Sequence, residues 1–295
     1  MLKRLLLFAC LPALLVAQKV EYKRTEDVIY GRKWGTALTL DVFQPAKPTG
    51  FGIVFVISAG WVSSREAIDT PLFRQVYEAF ILRGYTVFAV VPGSQPKFQI
   101  PEMNADVHRA VRFVRSNAAK YDVDPDHLGI SGGSAGCHLS LLAATQGKTG
   151  ETDAKDPTDR ASSAVQAVAC FFPPTDFLNY GAPGEDAVGV GTLKNFKSAF
   201  GPRSETAESR KAYGKEISPI EFISASMPPV LLIHGDADKL VPLQQSEMFL
   251  AKAQEAGVKT KLVIKKDAAH SWPDLAADVP LMADWFDQYL RGITN

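Results

Sequence analysis

The sequence predicts an α/β protein built on a central, mostly parallel β-sheet with helices on both of its faces. Short, almost wholly apolar segments, typical of strands buried on both sides, alternate along the chain with segments whose apolar residues recur at helical spacing. Such alternation is typical of parallel strands joined by crossover helices. The composition of the 295 residues, 46% hydrophobic and 22% charged, is that of a globular protein.

The predicted strands begin with a hairpin and continue as buried runs. Residues 20–30 and 37–43 alternate between apolar and polar side chains, with Leu38, Leu40 and Val42 on one face. The later predicted strands are residues 51–57, 86–91, 128–130, 165–172, 230–233 and 261–264.

Helices are predicted between these strands. The first begins at Pro71, which suits a first helical turn, and ends at Gly84. The others are residues 102–119, which repeat valines at helical spacing, and then residues 135–145, 242–255 and 280–290.

Two stretches interrupt the alternation. Residues 146–163 are polar, whereas residues 176–226 carry aromatic side chains among Gly, Pro and Ser. Insertions of that length usually serve as lids or binding walls, so residues 176–226 are predicted to be a lid-like insertion. Its aromatic residues fit two roles, stacking on an aromatic group of a ligand or packing the insertion onto the body. They are Phe177, Tyr180, Phe196, Phe200, Tyr213 and Phe222.

Residues 1–17 are predicted to be a signal peptide. Lys3 and Arg4 form a basic start, and an apolar run follows that is too short to span a bilayer. Two alternatives are a buried N-terminal helix and a lipoprotein signal that ends at Cys10. We therefore expect a secreted or periplasmic protein whose mature chain, residues 18–295, is a single domain. No later segment approaches 18 apolar residues, so no membrane span is expected in the mature chain.

The charge balance and the histidine spacing exclude several classes of protein. Lys and Arg together number 32, as do Asp and Glu, and removal of residues 1–17 shifts the net charge to about −2. A nucleic-acid partner would normally require a basic excess, so none is expected. No zinc-type histidine pair and no Gly-x-Gly-x-x-Gly motif occurs, so neither a metal nor a cofactor is predicted.

The remaining cysteines and histidines are predicted to be structural. Cys137 and Cys170 are expected to be packed free thiols, with a disulfide between them as the alternative in an oxidising compartment. His138 is expected to be a hydrogen-bonded core residue, and His234 to brace the loop after its strand.

A nucleophile motif is the sharpest feature of the sequence. Residues 132–136 read Gly-Gly-Ser-Ala-Gly, a Gly-x-Ser-x-Gly pattern between a predicted strand and a predicted helix. The glycines permit a sharp, strained turn that presents Ser134 at the N-terminus of the helix, where free N–H groups favour an oxyanion. The alternative is a glycine-rich turn without chemistry. We predict that Ser134 is a catalytic nucleophile.

The acid and the base are expected at the ends of later strands, because open parallel sheets place their sites at that edge. Asp236 and Asp238 both follow the strand at 230–233. Asp236 is expected to tie down its own loop, so Asp238 is the predicted acid. His270 follows the last strand by six residues and is the predicted general base, since an imidazole titrates near neutrality.

Donors for an oxyanion are also predictable. One is the backbone N–H of Ala135, the residue after the nucleophile. The other is expected in the loop after the strand at 51–57, where small residues allow close backbone approach. The N–H groups of Gly60 and Trp61 are the candidates.

With these residues the chain resembles the α/β-hydrolase superfamily, and within it the carboxylesterases related to hormone-sensitive lipase and to feruloyl and acetyl-xylan esterases. The resemblance covers nearly all of residues 30–290, and its most specific stretches are residues 104–110 with 117–119, 132–139 and 234–238. It implies an α/β-hydrolase fold and a serine esterase with Ser134 as nucleophile, Asp238 as acid and His270 as base. One loop departs from the family pattern, since residues 57–61 read Ile-Ser-Ala-Gly-Trp where His-Gly-Gly-Gly-Trp is common.

The expected reaction is hydrolysis of a small-molecule or polysaccharide-linked ester through an acyl-enzyme. A serine peptidase of the prolyl-oligopeptidase type is one alternative, but the chain is too short to hold the propeller that such enzymes carry. A non-catalytic binding protein on the same fold is the other alternative. Loss of a triad residue would be expected of it, and all three residues are present.

Overall fold

A computed structural model describes residues 20–293, so the predictions for residues 1–17 lie outside the described residues. Eight strands within this range form one sheet. They are β1 (Tyr22–Lys33), β2 (Thr36–Pro45), β3 (Gly52–Val56), β4 (Thr86–Val91), β5 (Leu128–Gly132), β6 (Ala167–Phe171), β7 (Val230–Gly235) and β8 (Thr260–Lys265).

The sheet is mostly parallel, as predicted. Its strand order is β1-β2-β4-β3-β5-β6-β7-β8, in which only the β1–β2 and β2–β4 pairs are antiparallel. The chain runs from β3 to β4 on one side and then crosses to β5 on the other side of β3. The carboxyl ends of β3 and β5 therefore flank the point where the strand order reverses, which is where open α/β sheets bind their ligands.

Helices cover both faces of the sheet. They are α1 (Pro71–Leu82), α2 (Ile100–Ser116), α3 (Ala135–Thr145), α4 (Lys197–Phe200), α5 (Ala207–Ile217), α6 (Gln244–Glu255) and α7 (Val279–Leu290). Apolar residues of α1 and α7 bury themselves in one core, and those of α2, α3 and α6 in a second core across the sheet. The prediction of helices on both faces is confirmed.

Several predicted boundaries shift, some by two or more residues, and two of these shifts have clear local reasons. Helix α2 begins at Ile100, two residues before the predicted start, because Gln99 and Glu102 form a capping box and Pro101 fits the first turn. Strand β6 ends at Phe171, because the next residue, Phe172, adopts a φ of 34° that no strand can accommodate.

The insertion at 176–226 packs closely onto the body. It contains α4, α5 and several short 3₁₀ turns, and most of its aromatic rings belong to the core on the α3 side of the sheet. Phe177, Phe200 and Tyr213 are fully buried, whereas Tyr180 and Phe196 line the cavity described below. Packing of the insertion onto the body, one of the two roles predicted for these rings, is therefore confirmed, whereas stacking on an aromatic group of a ligand stays a prediction.

The expectation of two free thiols is wrong. Cys137 in α3 and Cys170 in β6 are joined by a disulfide, with their Cα atoms 5.6 Å apart. Both side chains point into the same core, because Cys170 shares its face of β6 with Val168. The alternative pairing is the one that the fold adopts.

Among residues 20–293, no helix is both long and apolar enough to cross a bilayer.

Candidate active site

Ser134 occupies the sharp turn that joins β5 to α3. Its φ of 52° and ψ of −119° are strained for a residue with a side chain, and strain of this kind is concentrated at functional sites. The flanking glycines are required sterically. A Cβ on Gly132 would lie 2.7 Å from the carbonyl carbon of Gly136, and one on Gly136 would lie 2.5 Å from the carbonyl oxygen of Val56. The predicted strand–turn–helix setting of Ser134 is present.

Three side chains from different strand ends form one line of hydrogen bonds. The Oγ of Ser134 lies 2.8 Å from Nε2 of His270, and Nδ1 of His270 lies 2.7 Å from Oδ2 of Asp238. Because an ionised carboxylate only accepts, Nδ1 of His270 carries the proton and Nε2 is free to accept the hydroxyl proton of Ser134. The structure thus brings together the three residues predicted from the sequence.

Asp238 is buried and well supplied with donors. Its Oδ1 accepts the backbone N–H groups of Leu240 and Val241, each at 2.9 Å, and Oδ2 faces His270 and, at 3.4 Å, Nε2 of His234. Burial alone raises the pKa of Asp238, but hydrogen bonds from the two histidines and from the Val241 N–H outweigh burial and hold the pKa well below its usual range. Asp238 is therefore ionised at neutral pH.

Asp236 plays a different part from its neighbour. Its side chain is exposed, and its carboxylate accepts the backbone N–H of Asp267 at 2.6 Å. The expectation that Asp236 ties down its own loop is wrong, because its side chain bonds a residue of another loop. The bond joins the loop after β7 to the loop after β8. Asp238 and His270 are carried by these two loops.

The predicted oxyanion loop is a tight turn. Ala59 and Val62 exchange both backbone hydrogen bonds at 3.0 Å, while Gly60 and Trp61 adopt φ values of 56° and 60°. Positive φ at both central residues defines a type I′ turn. Within residues 20–293 the backbone N–H groups of Gly60, Trp61 and Ala135 have no acceptor, so these three predicted donors are available to a ligand.

The turn at Ala59–Val62 and the side chains of Ser134 and His270 border one apolar cavity of about 440 Å³. Ser134 and His270 lie in its wall beside Gly60 and Trp61, and none of the described residues that line it is an Asp, Glu, Lys or Arg. Much of the remaining surface is aromatic, from Phe73, Phe171, Phe172, Tyr180 and Phe196. Such a cavity favours uncharged, largely apolar ligands.

Two of these aromatic rings make contacts that the sequence does not predict, since Phe172 lies in no motif and Phe196 is predicted only as one of the aromatic residues of the insertion. The ring of Phe172 lies with its centroid 4.6 Å from that of His270. The ring of Phe196 lies against Gly60, so closely that a Cβ on Gly60 would be 2.5 Å from it. Glycine at position 60 therefore allows both the positive φ of the turn and the close packing of the Phe196 ring.

His138 and His234 make the structural contacts predicted for them. Nδ1 of His138 accepts the indole N–H of Trp61 at 3.1 Å, and its Nε2–H donates to the carbonyl of Ile217 at 2.8 Å. Burial lowers the pKa of His138 to about 4, so it stays neutral. His234 is fully buried and bonds Ser246 and the Val241 carbonyl, which braces the loop that carries Asp238. Among the described residues no group of His, Cys, Asp or Glu could hold a metal ion.

The profile of the BD-FAE family matches residues 40–253. The chain belongs to this family. The match contains Ser134, Asp238 and the turn at Ala59–Val62, whereas His270 lies beyond its end.

Individual proteins extend the comparison. The esterase LipQ of Mycobacterium tuberculosis is 30% identical over 87% of this chain, which spans 59% of LipQ. A truncated carbohydrate esterase from gut microbiota superposes with a TM-score of 0.78 at 24% identity, covering 93% of this chain and 99% of its own. A thermophilic esterase from the planctomycete Thermogutta terrifontis gives a TM-score of 0.69 at 26% identity, covering 91% of each chain. The resemblance to esterases of the α/β-hydrolase superfamily is confirmed.

Proposed function

We propose that this protein is a carboxylic ester hydrolase that acts through an acyl-enzyme on Ser134. The observation that carries the proposal is the line of hydrogen bonds from Ser134 through His270 to Asp238, set in the wall of an apolar cavity. A nucleophile bonded to a base, with a third group that orients the base, is the arrangement used in acyl transfer. The esterases among the chain's relatives support the same chemistry.

Acylation follows from this geometry. The Oγ of Ser134 attacks the ester carbonyl carbon while Nε2 of His270 takes the hydroxyl proton. The negative charge that develops on the carbonyl oxygen is stabilised by the N–H groups of Ala135, Gly60 and Trp61. The C–O bond to the alcohol then breaks, and His270 gives its proton to the leaving oxygen.

Deacylation repeats these steps with water. His270 takes a proton from water, whose oxygen attacks the acyl carbon, and collapse of the intermediate returns the proton to Ser134 and releases the acid. Asp238 remains ionised throughout, holding the imidazole in one tautomer and stabilising it when it is charged.

The cavity supports an uncharged acyl group in the substrate. Its aromatic and aliphatic walls offer no charged partner, and its volume exceeds the needs of an acetyl group. The alcohol portion is proposed to be either a small molecule or a polysaccharide. A series of nitrophenyl esters from acetyl to long chains, measured beside feruloyl esters and acetylated xylan, distinguishes these substrates.

Replacement of the nucleophile tests the proposal. We expect Ser134→Ala to lower kcat for nitrophenyl ester hydrolysis about 10³-fold or more and to abolish covalent labelling by a fluorophosphonate. Ser226→Ala, which removes an exposed hydroxyl from the surface, is the matched control and should retain both. Wild-type protein that neither hydrolyses esters nor accepts the label would contradict the proposal and favour the non-catalytic alternative, and cleavage of peptides alone would favour the peptidase.

A further inference from the structure

Gln95, in the loop between β4 and α2, holds the turn at Ala59–Val62 from outside the cavity. Its Nε2 donates to the carbonyl oxygen of Gly60 at 2.5 Å, and its backbone N–H donates to the carbonyl oxygen of Trp61 at 3.0 Å. Both carbonyl groups of the turn's central residues are thus bound by one residue. Gln95 itself does not line the cavity.

Because the peptide unit is planar, a hydrogen bond to the Gly60 carbonyl also fixes the direction of the Trp61 N–H. The Gly60 carbonyl and the Trp61 N–H belong to one trans peptide unit, in which the two groups point in opposite directions. While Gln95 binds the carbonyl, the Trp61 N–H must face away from Gln95. Because Trp61 and Ser134 line the cavity and Gln95 does not, the direction away from Gln95 leads toward the cavity.

The turn has an alternative state in which this donor is lost. A type II′ turn spans the same four residues but has its central peptide rotated by about half a turn, with positive φ at the first central residue only. Glycine at the first central position is what type II′ favours, and Gly60 supplies it. A rotated peptide would also relieve Trp61 of its left-handed φ of 60°, a conformation that costs an ordinary residue about 1–2 kcal/mol.

The other contacts of Trp61 do not select between the two turns. Its indole N–H is bound by His138, and its ring packs against Phe177, Phe196 and Phe200. These contacts fix the indole side chain of Trp61. The side-chain amide of Gln95, in contrast, bonds the carbonyl group of the central peptide.

We propose that Gln95 is a positioning residue for the oxyanion hole, which keeps the turn in its type I′ form so that the Trp61 N–H faces the substrate oxygen. This inference rests on the proposed ester hydrolysis. Gln95 touches no reacting atom and acts only through the Gly60–Trp61 peptide.

Two substitutions remove the side-chain donor while the backbone N–H of residue 95 remains. Gln95→Met keeps a similar, uncharged shape but has no hydrogen-bond donor, and Gln95→Glu places an acceptor opposite the Gly60 carbonyl. For both we expect kcat to fall about 10²-fold to 10³-fold with KM nearly unchanged, as for loss of one oxyanion donor. Gln95→Lys supplies a new donor and should recover at least about tenfold of that loss. Gln254→Glu, at an exposed glutamine whose amide bonds Thr260, is the matched control.

A transition-state analogue separates positioning from a general structural role. Trifluoromethyl ketones add to the nucleophile and carry an oxyanion, so their inhibition constants should weaken by the same factor as kcat/KM across the variants. Wild-type activity together with a kcat within about twofold for Gln95→Met and Gln95→Glu would overturn the inference, as would a loss confined to KM or to the melting temperature. Inactive wild-type protein would instead overturn the proposed function.

Discussion

Two carboxylates that are two residues apart show how strongly local donors decide the role of a side chain. Asp238 is buried, accepts two backbone N–H groups on one oxygen and faces His270 with the other. Asp236 is exposed and bonds a backbone N–H of the neighbouring loop. The first arrangement orients an imidazole, and the second joins two loops.

The pair therefore makes a matched test. Asp238→Asn should lower kcat by about 10⁴-fold, because an amide that donates to Nδ1 would force His270 into the tautomer that cannot accept from Ser134. Asp236→Asn keeps an acceptor for the Asp267 N–H, so its kcat should stay within about threefold of wild type. Steady-state kinetics on one nitrophenyl ester measure both, and equal losses would remove the distinction between the two residues.

Motifs with fixed spacing are what made the site predictable at this scale. Ser134 lies in a five-residue pattern, and Asp238 and His270 follow predicted strands closely, so the sequence predicts the three side chains that the structure brings together. Gln95 could not be found, because its partner Gly60 lies 35 residues away in another loop. The expectation of free thiols at Cys137 and Cys170 is wrong for the same reason, since a sequence separation of 33 does not give a distance between Cα atoms.

At the scale of elements, the insertion does more than cover the site. Phe196 ends a short 3₁₀ turn and places its ring on Gly60, in T-shaped contact with Trp61. The insertion thus supplies part of the cavity wall and also packs against the turn at Ala59–Val62.

Trimming this ring should change selectivity. Phe196→Ala opens space in the cavity wall, so the ratio of kcat/KM for an octanoyl ester over an acetyl ester should rise by about tenfold. Phe222→Ala, at an aromatic residue of the same insertion that does not line the cavity, should leave the ratio unchanged. A parallel loss on both esters would mean that the ring supports the turn without limiting acyl length.

Regular elements were predicted better than the insertion. Strand β4 and helix α3 have the predicted bounds, because buried strands and helical spacing leave periodic patterns. The short helices α4 and α5 were not predicted. Their aromatic residues follow no period, and helices of this length depend on tertiary packing for their stability.

At the scale of the whole molecule, strand order assembles the site. The turn at Ala59–Val62 follows β3 and Ser134 follows β5, and these strands are neighbours because the chain, after adding β4 on one side of β3, crosses over to add β5 on the other side. The alternation of elements predicts a parallel sheet but not its order. Even so, the general preference for sites at carboxyl strand ends predicts the edge of the sheet at which Ser134, Asp238 and His270 come together.

The buried imidazole of His138 and the half-buried imidazole of His108 should make folding stability depend on pH. Burial lowers the pKa values of His108 and His138 to about 4, below the 6.5 of an exposed imidazole. Between these values the unfolded chain binds protons that the folded protein does not, so stability is full above about pH 6.5 and declines as pH falls toward 4. For His138 the decline is about 3 kcal/mol.

Urea unfolding between pH 7 and pH 4.5 measures this dependence. His108→Gln removes one of the two groups and should make the free energy of unfolding less steep with pH. Identical slopes for wild type and variant would exclude His108 as a source. His138 is less suitable for substitution, because it also holds the indole of Trp61.

Because of the Cys137–Cys170 disulfide, preparations of this protein can differ in whether the two cysteines are oxidised or reduced. It closes a loop over 33 positions of sequence, for which chain entropy implies about 4 kcal/mol of stabilisation. Cys137 lies one helical turn beyond Ser134, and Cys170 lies one residue before Phe171, whose carbonyl accepts the Ser134 N–H. Protein made in a reducing cytoplasm and protein made by export are therefore different starting materials, and thiol content should be determined before their activities are compared.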